Sequence, residues 1–77
     1  MGFEKFEKAL ELCKAKFKKR AERYADSWME APYTQLRGRL IGEFDEFEET
    51  FVNSAEEIDE LKDVINQALM YLTRLVS

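Results

Sequence analysis

The stretch Gly42–Asp63, GEFDEFEETFVNSAEEIDELKD, decides how this chain folds. It holds two carboxylate pairs at helical spacing, Glu43/Glu46 and Glu60/Asp63, with a turn signal between them. Asn53 lies midway between Glu46 and Glu60, and equally midway between Glu43 and Asp63. Asn53 and Ser54 are turn and cap residues, and Glu57 three positions after Ser54 completes a capping box. If the chain folds back near Asn53 as an antiparallel helical hairpin, the two pairs sit at matching heights.

Working outward, the helix before the turn starts between Pro32 and Thr34, because proline suits a first helical turn. It is expected to stop near Val52, with Leu36, Leu40, Phe44, Phe47 and Phe51 as its core face and Ile41 alongside. Gly38 and Gly42 weaken it by about 1 kcal/mol each relative to Ala, which points to close approach of a neighbouring helix or to room for a ligand beside Glu43. The helix after the turn runs from Ala55 to about Val76. Its core stripe is Ile58, Leu61, Ile65, Ala68, Leu72 and Leu75, widened by Val64, Leu69 and Tyr71. Upstream, Phe3, Phe6, Leu10, Cys13, Phe17, Ala21, Tyr24 and Trp28 recur every three or four positions and mark one stripe of a long amphipathic helix. Pro32 cannot continue that helix, so it ends within Asp26–Pro32. Cys13 falls in the stripe and reads as a small buried hydrophobe.

The expected architecture is all-α: a single domain, 1–77, of one long helix followed by a helical hairpin, assembling into an oligomeric bundle. A chain of 77 residues buries only a modest core alone, so outside support is expected. Hydrophobic residues make up 45% and charged residues 36%, with only three Gly and one Pro, which excludes disordered and fibrous classes. The net charge of -4 is unevenly spread: residues 1–23 carry eight Lys/Arg against four Glu, whereas residues 43–63 carry ten acids against Lys62. An acidic protein without aromatic-basic interleaving is a poor duplex binder, so no duplex nucleic acid is expected. One cysteine and no histidine exclude an internal disulfide and a thiolate or imidazole metal site. No apolar run approaches a membrane span, and the N-terminus is too charged for a signal peptide, so the expected compartment is the cytoplasm.

Positions i and i+3 lie about 60° apart around a helix and roughly 4.5 Å along it, so each acid pair points one way. Across an antiparallel hairpin the two pairs either converge or point apart, and the sequence leaves both open. Converging carboxylates raise one another's pKa, a conflict that a divalent cation removes. An all-oxygen ligand set selects Mg²⁺, or Mn²⁺, and Mg²⁺ commonly shares its coordination with substrate phosphates. That chemistry suits phosphoanhydride hydrolysis. The bland alternative is a solvated acidic face, since Asp45, Glu48, Glu49, Glu56 and Glu57 lie outside the two pairs.

The two pairs and their flanks resemble the signature of the MazG-like all-α nucleoside triphosphate pyrophosphatases, the superfamily that includes dimeric dUTPases, dCTP pyrophosphatases and phosphoribosyl-ATP pyrophosphohydrolase. The signature is E-x-x-E, usually a dozen or more residues, then E-x-x-D. Here Glu43-Phe44-Asp45-Glu46 is followed by thirteen residues and then Glu60-Leu61-Lys62-Asp63. Gly42-Glu43 and Phe47 are similar to the family's GE-x-x-E-L form, and Asp63-Val64-Ile65 to its D-V-hydrophobic continuation. Trp28 and Pro32 before the second helix also resemble members, so the match spans residues 24 to about 72. The resemblance implies Mg²⁺-dependent cleavage of a (deoxy)nucleoside triphosphate to the monophosphate and pyrophosphate, with Glu43, Glu46, Glu60 and Asp63 as catalytic metal ligands. Many members have a further Glu where Gly42 stands and a fourth helix that this chain lacks, so a homodimer or homotetramer is expected to complete the site. Met70 and Gln67, outside the main stripe, fit such a second contact surface.

Further substrate contacts are expected from Asn66 to sugar or base, from Trp28 and Tyr24 by stacking, and from Arg39, Lys16 and Lys19 to phosphate. Each has a plainer alternative as helix surface, ion pair or core aromatic. The alternative to an enzyme is a non-catalytic helical oligomerisation or interaction module, including a degenerate relative that binds nucleotide without turnover.

Overall fold

The computed structural model describes residues 1–77, the side chain of Tyr24 excepted. The chain is all-α: α1 (Gly2–Tyr24), α2 (Tyr33–Glu48) and α3 (Ala55–Val76), with one 3-10 turn, Ser27–Met29, between the first two. No helix among the described residues is long and apolar enough to cross a membrane.

Local chemistry sets the boundaries. Pro32, extended at φ -60 and ψ 147, caps α2, and its carbonyl accepts from Gln35 and Leu36 N–H. Glu57 N–H donates to Ser54 Oγ at 3.0 Å, while the Glu57 carboxylate accepts from Asn53 N–H at 2.9 Å. The capping box therefore forms, reaching one residue further back than its usual backbone partner. Asn53 takes φ 64, a left-handed conformation that Asn tolerates better than most side chains. The second helix stops four residues earlier than its pattern predicts. After Glu48 the backbone tightens into i to i-3 bonds, and the Thr50 hydroxyl donates to the Phe47 carbonyl at 2.6 Å, satisfying a terminal acceptor.

Helices α2 and α3 form the antiparallel hairpin, and α1 lies across α3. Arg74 fastens the open end: its Nη1 donates to the carbonyls of Trp28 (2.9 Å) and Ala31 (2.8 Å). Its guanidinium also lies 5.1 Å from the centre of the Tyr33 ring, whose hydroxyl donates back to the Arg74 carbonyl.

Much of the expected core face of α3 is turned outward, although Ile65 and Ala68 of that stripe are half-buried. Ile58, Leu61, Leu72 and Leu75 are 41–54% exposed, whereas Asn66, Gln67 and Met70 are buried. Met70 and Gln67 are thus interior to the chain rather than a second contact surface. Among the described residues the buried hydrophobic ones are Cys13, as expected, with Ala31, Leu36 and Met70. Phe44 and Phe51 on the hairpin, and Phe3 and Phe6 on α1, are exposed despite their place in apolar stripes. The inward face of α3 is polar because α1 supplies partners for it. Asn66 Nδ2 donates to the Cys13 carbonyl at 2.9 Å, and Arg20 Nη1 donates to Gln67 Oε1 at 3.2 Å. Among the described residues, a Cβ built on Gly38 or Gly42 would meet nothing within 4 Å, so the close helix approach that the glycines suggested is not seen at either position.

Candidate metal and nucleotide site

The rotation that exposes Phe44 and Leu61 turns their neighbours Glu43 and Glu60 inward. Glu43, Glu60 and Asp63 each present a carboxylate oxygen, and the three oxygens lie within 4.8 Å of one another. The two acid-bearing faces therefore converge. Glu46 stays outside this group and is exposed, although it lies within hydrogen-bond reach of Glu43. Three positions along α2 carry it about 60° further round the helix and nearer the turn, where it lines a separate cavity with Asp59 and Glu60 of α3.

Confinement strains the charges of the cluster. Burial, then the charges of Asp63 and Glu46, a hydrogen bond that the protonated Glu43 donates to Glu46 and the charge of Glu60 push the Glu43 carboxyl up to about 7 from 4.5. Burial and the neighbouring Asp63 and Glu46 charges also raise Glu60, against the opposing pull of Lys16. One oxygen of each, Glu43 Oε2 and Glu60 Oε2, is buried without a hydrogen-bond partner. Three hard donors with two orphaned oxygens match the needs of a divalent cation, so the residues fit Mg²⁺ or Mn²⁺.

Lys16, an expected phosphate contact, pairs with Asp63 at 2.8 Å and Asp59 at 3.1 Å, and donates to the Asp59 carbonyl at 3.0 Å. Burial disfavours its charge, but the bonds to Asp63 and Asp59 outweigh burial and raise its pKa. Beside it opens a cavity of about 580 Å³, within the range of about 300–1,000 Å³ usual for small-molecule sites. Glu43 and Asp63 line one part of it, and Lys19, Arg20 and Arg23 another. Lys19, an expected phosphate contact, lines this cavity, and Arg20 and Arg23 are additions. Their signal was in the sequence: Lys16, Lys19, Arg20 and Arg23 follow i, i+3, i+4, i+7 and share one helix face.

Asn66 and Phe17 line this cavity and a second, more apolar one of about 190 Å³ that also takes in Trp28, Leu69, Met70 and Thr73. Trp28 meets Phe17 edge-on, with ring centres 6.2 Å apart, and its buried Nε1 has no partner. The expected contacts Asn66 and Trp28 therefore border the same space. Arg39, half-buried one turn before Glu43 on α2, lines neither cavity. The expectation for Tyr24 concerns a side chain outside the described residues. Compared with protein-family models, curated proteins and solved structures, the chain matches none.

Proposed function

We propose that this chain is a divalent-cation-dependent pyrophosphohydrolase that cleaves a (deoxy)nucleoside triphosphate to the monophosphate and pyrophosphate. The observation that carries the reading is the charge order at the larger cavity: Glu43 and Asp63 line it and converge with Glu60 just outside it, one oxygen each of Glu43 and Glu60 is unpartnered, and Lys19, Arg20 and Arg23 also line the cavity. Glu43, Glu60 and Asp63 would hold Mg²⁺ or Mn²⁺, with Glu46 at the margin. Such a cation, when bound, neutralises phosphate charge and activates water as a nucleophile. The chain's own part is binding and orientation. Lys19, Arg20 and Arg23 offset the charge of the phosphates furthest from the sugar. Phe17 and Trp28 offer apolar faces to a base next to Asn66, which its bond to the Cys13 carbonyl holds in place.

A second reading, a helical interaction module without turnover, draws on Lys16, which already neutralises Asp63. Two measurements separate them. Millimolar Mg²⁺ or Mn²⁺ is expected to raise the melting temperature, and Glu60→Gln to abolish that rise. Pyrophosphate release is then followed across a panel of ordinary and modified nucleoside triphosphates. Folded protein that releases none of it with Mg²⁺ present overturns the enzyme reading and leaves the interaction module.

A further inference from the structure

Three carboxylates converge between α2 and α3, and among the described residues a single cation is paired with them, Lys16 of α1. Its ammonium lies 2.8 Å from Asp63 and 3.1 Å from Asp59, and it donates to the Asp59 carbonyl at 3.0 Å. Three acceptors thus match the three N–H donors of an ammonium. Only one of them belongs to the cluster. Asp59 stands one turn before Asp63 on α3, outside the three-oxygen group, with its side chain 63% exposed. Lys16 is therefore anchored twice outside the cluster and once inside it, and the oxygens Glu43 Oε2 and Glu60 Oε2 stay without a partner beside it.

We propose that Lys16 is a built-in competitor for the cation site: it holds Asp63 in the metal-free chain and yields Asp63, while staying tied to Asp59, when Mg²⁺ or Mn²⁺ binds. The inference rests on the cation site of the proposed function and adds what that site selects. Selection is by charge. A sodium or potassium ion brings no more charge than the ammonium it would replace, and that ammonium also donates a hydrogen bond, so the exchange is unfavourable. A divalent ion brings twice the charge to Asp63, Glu43 and Glu60, and the Coulomb attraction rises in proportion. It can also take the two unpartnered oxygens that Lys16 does not reach. Lysine suits the role because its ammonium is a point charge on a flexible four-carbon stem, which passes between acceptors by side-chain rotation, whereas the rigid fork of an arginine grips a carboxylate with two bonds.

Calorimetric titration of the full chain with magnesium and with manganese chloride, without nucleotide, tests the competition. Lys16→Met is expected to bind either ion about tenfold more tightly than the parent chain, the equivalent of one charge-assisted hydrogen bond that no longer has to be broken. Lys16→Arg keeps the charge and the tie to α3, and is expected to bind about fivefold more weakly, because a bidentate pair is harder to displace. Equal affinities in the three chains overturn the proposal, as does tighter binding by Lys16→Arg than by the parent, or binding by none of them. If Lys16→Met fails to fold, the comparison of Lys16→Arg with the parent decides. Selection is read at fixed ionic strength by exchanging tetramethylammonium chloride for potassium chloride. The parent's Mg²⁺ affinity is expected to hold and that of Lys16→Met to fall about twofold, since a monovalent ion can now enter; an equal response in the two overturns the selection. Pyrophosphate release is a separate reading. The expected order of affinities without any release upholds the role of Lys16 while the enzyme reading falls, and turnover with equal affinities does the reverse.

Discussion

At the residue scale, Glu43 reports on the whole cluster. Its carboxyl is raised to about 7 from 4.5 by burial and by the acids around it. In metal-free protein the folded state therefore holds a proton that the unfolded chain gives up. For an acid with a raised pKa, the stabilising contribution is full below 4.5 and is lost as pH rises through about 7. Melting of the metal-free chain is expected at progressively lower temperature across that window. Glu43→Gln should flatten the decline, and an equally steep decline in the variant would show that Glu43 is not its source. The acids themselves were legible from spacing, since i, i+3 places each pair on one face. The missing member of the cluster was not: the position of Glu46 outside the three-oxygen group depends on some tens of degrees of helix rotation that no spacing encodes.

At the element scale, what was legible was local. The start of α2 follows from Pro32, and the start of α3 from Ser54 and Glu57, because a proline ring and a capping side chain act on backbone groups a few bonds away. Ser54→Ala is expected to destabilise the chain by about 1 kcal/mol through loss of the cap. Gly38→Ala should stabilise it by a similar amount, about 1 kcal/mol, because the space around that position is open and Ala is the better helix former. Urea unfolding of both variants checks the pair, and a loss of stability in Gly38→Ala would mean that a partner occupies the space. The burial of α3 was not legible in the same way. Periodicity finds an apolar stripe, but it does not say whether the covering surface belongs to the same chain. Ile58, Leu61, Leu72 and Leu75 make the better stripe, yet Asn66 and Gln67 face α1 because Cys13 and Arg20 supply their partners.

For the whole molecule, the consequence is a thin interior. With few hydrophobic side chains fully enclosed, cohesion leans on a small number of polar fastenings, and the clip at Arg74 joins parts of the chain more than 40 positions apart. It holds the carbonyls that end the α1–α2 link while its own backbone carbonyl is held by Tyr33. The last turn of α3 and the segment around Trp28 therefore cannot open separately without breaking the same contacts. In amide hydrogen exchange, residues 27–31 and the last turn of α3 are expected to share one opening free energy rather than fray independently. Arg74→Ala should speed exchange in both, leaving the Ser54 end of α3 at its original rate. Acceleration in only one would show that the link and the helix end open as separate units. Trp28 borders the apolar cavity, so the timescale on which that wall loosens is set at the opposite end of the sequence from α1.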